Sequence, residues 1–223
     1  RRTLALGEPF KVCAFQVKSL LHAHAQQLAY TSPAHLEIEL CPGRRTGGLV
    51  AQRALGNTHT LDRKPMETAV AIGLIDELTR TRPDAVLTFG GIGDPLMHPA
   101  WREIITHALQ ANLTAVHVRT DLQCSRDEAL ELFTLNPAII SVDLLADLPE
   151  TYRQVAGIAS YDRARNNLIA ILQARQEAQL GQSSGMPGCW IVPRITRCDA
   201  VYNEIESFYD RWLTVAQACV IDP

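Results

Sequence analysis

From residue 35 onward this 223-residue chain alternates short apolar runs with longer amphipathic stretches, and that alternation leaves few folds open to it. The runs His35–Cys41, Asp84–Phe89, Thr114–Thr120, Ala138–Leu144, Cys189–Thr196 and Ala218–Asp222 read as strands. Helical periodicity occupies the intervals Pro65–Thr81, Pro99–Ala111, Arg126–Leu135, Tyr161–Leu180 and Tyr202–Ala216. Pro65 and Pro99 are expected in first helical turns, where a missing N–H costs nothing. Ser125 followed by Glu128 has the spacing of a capping box. Each strand–helix–strand passage implies a parallel pair with a right-handed crossover. Six such strands build either an open barrel or a doubly wound sheet. Periodicity does not separate the two, but the even unit length and the lack of any sign of strand-order reversal fit a barrel-like curl.

The fold class expected is therefore α/β, a partial (β/α)6 TIM-like barrel of mostly parallel strands with outer helices, over residues 35–223. Residues 1–34 are expected to form an N-terminal helical or linker segment, with Ala14 to Tyr30 as its helix. The polar, glycine-dotted stretch Pro42 to Lys64 and the stretch Gly181 to Gly188 read as loops.

Ligands of parallel α/β folds bind at the carboxyl ends of the strands. There the most informative segment is Val86 to Pro99, where a strand runs into Gly90-Gly91-Ile92-Gly93-Asp94-Pro95. Glycines let a ligand approach the main chain, because no Cβ stands in the way. The other strand ends carry Cys41 to Gly48, Arg119-Thr120-Asp121, Ser141-Val142-Asp143 and Pro193-Arg194-Ile195-Thr196. Such a mouth suits a polar small molecule.

Composition narrows the partners. Hydrophobic residues make up 47% and charged residues 20%, with a net charge of −3, as in globular domains. No basic tract is present, so nucleic-acid binding is not expected. Apolar runs fall far short of the ~18 residues of a membrane span. Cys13, Cys41, Cys124, Cys189, Cys198 and Cys219 are scattered, as reduced thiols of a cytoplasmic protein would be. Cys41 reads as a buried small apolar residue. His98 reads as a surface or capping residue, and His107 and His117 have no partner by sequence spacing.

Four segments carry a resemblance to the radical S-adenosylmethionine (SAM) superfamily. Gly90 to Leu96 is similar to its glycine–glycine–acid–proline turn, with aspartate as the acid. Val116 to Thr120 resembles the strand that ends in Thr-Asn-Gly, with Asp121 and Leu122 in place of the last two residues. Ile140 to Asp143 resembles the strand whose serine and acid face the ribose and methionine. Tyr152 to Asn167 is similar to the segment that follows it in members with a cysteine-rich C-terminal extension, the SPASM type. The resemblance implies SAM or nucleotide binding by Gly90, Gly91, Gly93, Asp94, Pro95, Thr120, Ser141, Asp143 and Arg194. It also implies a 4Fe-4S cluster held by three cysteines after the first strand. No Cys-x-x-x-Cys-x-x-Cys exists in this sequence; with Cys41 as first ligand, Arg45 and Gly48 take the other two places. The expectation is a cytoplasmic pseudoenzyme without cluster or radical activity, flanked by further domains of one polypeptide. Three other readings stand beside it: an active iron–sulfur enzyme with a non-standard cluster site, a barrel aldolase or isomerase using Asp143 and Arg194, and a non-catalytic interaction module.

Overall fold

The computed structural model describes residues 33–46, 64–180 and 188–223. The chain divides into two compact units, Arg1–Ala34 and His35–Pro223. The expected helix from Ala14 to Tyr30, residues 47–63 of the loop before Lys64 and residues 181–187 lie outside the described residues.

Six strands form one sheet in the order β1-β2-β3-β4-β5-β6, every neighbouring pair parallel. They are β1 His35–Ile38, β2 Val86–Phe89, β3 Ala115–Thr120, β4 Ile139–Asp143, β5 Trp190–Thr196 and β6 Val220–Asp222. A doubly wound sheet reverses its strand order at a switch point. No reversal occurs here, so the partial barrel is the architecture.

Six helices follow in the described residues: α1 Thr68–Thr81, α2 Trp101–Gln110, α3 Arg126–Thr134, α4 Pro149–Ala156, α5 Tyr161–Leu180 and α6 Ile205–Ala216. The capping box forms as the spacing requires: Glu128 N donates to Ser125 Oγ at 3.2 Å, and Ser125 N to Glu128 Oε2 at 3.0 Å. Two proline expectations fail. α1 begins at Thr68 and α2 at Trp101, so Pro65 and Pro99 precede the first turns rather than open them. The His98 ring holds the chain in that approach, accepting from Ala100 N at 3.1 Å and bonding Met66 O at 2.8 Å. His98 is thus a buried cap, not a surface residue. The apolar pattern also overran β1, which stops at Ile38 and leaves Cys41 in the following loop, buried as expected. α4 had no counterpart among the expected helices; it opens on Pro149 and closes at Gly157 with φ 73°.

Buried parallel sheets usually read as continuous apolar runs, because helices cover both faces. These strands alternate instead. Leu87, Phe89, Val116, Val118, Ile140, Val142, Ile191 and Ile195 are buried in a core shared with Ile75, Ile104, Ile105, Leu132, Leu168, Ile171 and Phe208 of the helices. Each fully buried side chain of this kind contributes about 1.5–3 kcal/mol. The opposite face carries His35, Thr88, His117, Arg119, Ser141, Asp143 and Arg194. Strand period two therefore separates a covered apolar wall from a polar inner wall.

Candidate functional site

The carboxyl ends of β2, β3 and β4 meet under the loop that follows β1. Gly91 has φ 102°, a conformation that needs glycine. Gly93 is required for another reason: a Cβ there would lie 1.5 Å from the carbonyl oxygen of Cys41. The close neighbour of this turn is the chain's own strap, residues 41–46. Asp94 N donates to Gly43 O at 2.8 Å, and Ile92 N and Gly93 N donate to Glu39 Oε1 at 2.8 and 2.9 Å.

Asp94 ties this turn to the end of β3. It accepts from Leu96 N at 2.8 Å, capping the short 3-10 turn Pro95–Met97. Its other oxygen accepts from Thr120 Oγ1 at 2.8 Å and Asp121 N at 2.7 Å. Burial and the neighbouring charge of Asp121 push the Asp94 carboxyl up to about 7. Beside it lies a cavity of about 10 Å³ bordered by Arg45, Asp94, Thr120, Asp121 and Gln123, room for about one water. The Arg45 guanidinium donates to the carbonyl of Gln123.

Asp143 is the second centre. Although burial alone would raise its carboxyl, Arg44, Arg119 and Arg194 outweigh that effect and hold it below the usual carboxylate range. Arg119 Nε donates to both its oxygens at 3.0 and 2.9 Å, Arg44 Nη2 donates at 2.9 Å, and Arg194 Nε stands 3.8 Å away. Arg194 also binds Asp222 through both carboxylate oxygens, at 2.7 and 2.6 Å. Arg44 reaches further, to 3.8 Å from Asp121, whose Oδ2 accepts from Thr46 Oγ1 at 2.9 Å. A strap residue, Arg44, thus joins the ends of β3 and β4.

A third group runs across the inner wall. His35 Nε2 is 2.8 Å from Thr88 Oγ1, which is 3.2 Å from His117 Nδ1, and His117 Nε2 is 2.6 Å from Ser141 Oγ. Burial, then the charges of Arg194 and Arg119, push the His117 imidazole down to about 4, so it is neutral at pH 7.

Of the nine residues expected at the site, Gly90, Gly91, Gly93, Asp94, Pro95 and Thr120 come together at the ends of β2 and β3. Asp143 and Arg194 meet each other at the ends of β4 and β5, while Ser141 points into the histidine ladder instead. Glu39, Arg44, Arg119, Asp121 and His117 were not among the expected ligands. Alternation along β3 is the signal that groups His117 with Arg119 on one face. Nothing local marked Arg44, whose partner is 99 residues away.

The loop after β3 is fixed from behind. Asn167 of α5 donates to Leu122 O and Cys124 O at 3.0 Å each, and Gln123 donates to Tyr152 Oη at 2.7 Å. Leu122 sits at φ 51°, the backbone state of a glycine with a leucine's side chain. The left-handed state costs roughly 1–2 kcal/mol. Full burial of its side chain and a bond from its N–H to Thr120 Oγ1 at 3.1 Å hold it there.

No protein-family model matches the sequence, and no curated protein matches it. Solved structures do resemble the fold. Streptococcus suis SuiB bound to S-adenosylmethionine superposes with TM-score 0.64 at 11% identity, over 99% of this chain and 48% of SuiB. SuiB bound to precursor peptide SuiA gives 0.65 at 11%, over 97% and 45%. The anSMEcpe structure with bound AdoMet gives 0.62 at 8%, over 84% and 51%. These neighbours are radical SAM enzymes, and this chain has their α/β partial-barrel fold. It spans about half the length of each.

Proposed function

We propose that this chain is a radical-SAM-fold domain that works without the 4Fe-4S cluster and without radical chemistry, as one part of a longer, cytoplasmic, SPASM-type polypeptide. The observation that carries the reading is Arg44. The stretch Cys41 to Gly48, where a cluster would need three soft thiolates, holds one cysteine, Cys41, and two guanidiniums. One of these, Arg44, is locked in ion pairs with Asp143 and Asp121. A cluster at this strap would meet a fixed cation and lack sulfur donors, so the residues present do not fit it.

SAM or a related nucleotide is the first small molecule to test, because neighbours of this fold hold it. Gly90, Gly91, Gly93, Asp94, Pro95, Thr120, Ser141, Asp143 and Arg194 are the groups that would meet it. The competition is internal: the turn's N–H groups serve Glu39, and Asp143 serves three arginines. Binding therefore requires the strap to yield, and the expected affinity is weak.

Anaerobic reconstitution of residues 1–223 with iron and sulfide, followed by dithionite and SAM, tests the reading. The expected result is substoichiometric iron and no 5′-deoxyadenosine. A stoichiometric cluster with reductive SAM cleavage would overturn it.

A further inference from the structure

Extending the reading above, we infer that Asp121 and Asp143 form a guanidinium pocket at the mouth of the barrel, filled in cis by Arg44, and open to an alkylguanidinium ligand when the strap withdraws. Two buried carboxylates converge from the ends of β3 and β4. Between them lies a planar cation whose side chain is only 10% exposed, aimed at both. Its Nη2 makes a 2.9 Å bond to Asp143, while its Nε, 3.8 Å from Asp121, has no hydrogen-bond partner among the described residues. The occupant is thus held by charge and shape but leaves one donor unmet. A ligand not tethered to a strap can adjust by that margin and place that donor on Asp121, while Arg119 keeps its own bonds to Asp143.

The chemistry selects the ligand class. A guanidinium presents several N–H donors in a rigid plane, so it can meet two carboxylates at once; an ammonium is a compact, strongly hydrated point charge. Just before the strap, the Glu39 carboxylate accepts from the N–H pair of Ile92 and Gly93, so the chain holds both sides of the mouth by polar contacts.

Substitution of the plug tests the pocket in the full chain. Arg44→Ala is expected to lower the melting temperature by several degrees. Methylguanidinium at about 10 mM, far below denaturing concentrations, is then expected to restore at least half of that loss with a saturable, roughly millimolar midpoint. Sodium and methylammonium at equal ionic strength should not. Wild type, with its pocket filled, should show no selectivity, and Arg44→Ala/Asp121→Asn should lose the rescue. Arg44→Met keeps the side-chain stem and repeats the test should the alanine variant not fold. If neither folds in buffer, methylguanidinium must raise the folded yield on refolding. Absence of selective rescue in these variants overturns the pocket. Iron content of the wild-type protein reports separately on the cluster, so the two failures are distinguishable.

Discussion

Asp94 and Asp143 are equally inaccessible, at 1% exposure each, yet their surroundings drive them in opposite directions. Asp94 accepts only from neutral donors, two backbone N–H groups and a threonine hydroxyl, and burial with the charge of Asp121 beside it raises its carboxyl to about 7. Asp143 meets three guanidiniums and stays ionised well into acid. Burial raises both carboxyls; at Asp94 the charge of Asp121 adds to it, and at Asp143 three guanidiniums outweigh it. The first residue is a joint between a glycine turn and a strand. The second is an electrostatic hub gathering the strap, β3 and β5.

The largest effect separating them is expected from neutralising each. Asp143→Asn leaves three arginines around an uncharged amide. Removing one partner of a buried ionic cluster costs about 3–5 kcal/mol. Asp94→Asn keeps an oxygen for Leu96 N and forfeits one acceptor position, for about 1–2 kcal/mol. Urea denaturation of both variants at pH 7 checks the difference. Equal losses would show that the guanidiniums do not depend on Asp143.

The pH dependence sharpens the same contrast, with a smaller span. Native Asp94 takes up its proton near pH 7 and the unfolded chain near 3.9. Between those values the native state binds more protons, so the stability Asp94 contributes declines as pH rises through that window. Asp143 acts the other way. Its native carboxyl ionises below the unfolded value, so its contribution is present above about pH 3.9 and is lost as pH falls through the lower native value. Unfolding free energies from pH 3 to 8 should decline at both ends for the wild type. The decline toward pH 8 should flatten in Asp94→Asn, and the acid limb in Asp143→Asn.

Part of this was legible in the sequence. The apolar runs located all six strands within a few residues, and Ser125 with Glu128 fixed the start of α3, because both signals are local. The inner wall was not legible in full, since alternation along β3 can group His117 with Arg119 but says nothing of what they would meet. That depends on register, which pairs Thr88 with His117 and Asp143 with Arg194. α4 escaped notice because a helix of 8 residues shows barely two turns of periodicity. Arg44 escaped because its loop gives no periodic signal and its partners come from distant strands. The glycine turn was read as a ligand cradle, and at Gly93 the close approach is that of the Cys41 carbonyl.

The smallest expected effect asks how far the hub's charge extends. If Asp143 cancelled its arginines completely, the histidine ladder beside it would feel no field. Instead, after burial, Arg194 and Arg119 are the next strongest influences holding the His117 imidazole at about 4. Arg119→Gln removes one of these charges while leaving the ring between Thr88 and Ser141. Its midpoint, followed by imidazole NMR, is expected to rise by a fraction of a pH unit and to stay below 6.5, because burial persists. Ser141→Ala makes the control, since it deletes a hydrogen bond to the ring and no charge. A midpoint that stays put in Arg119→Gln would mean that the three guanidiniums and Asp143 form a closed electrostatic unit. His117 would then owe its neutrality to burial alone.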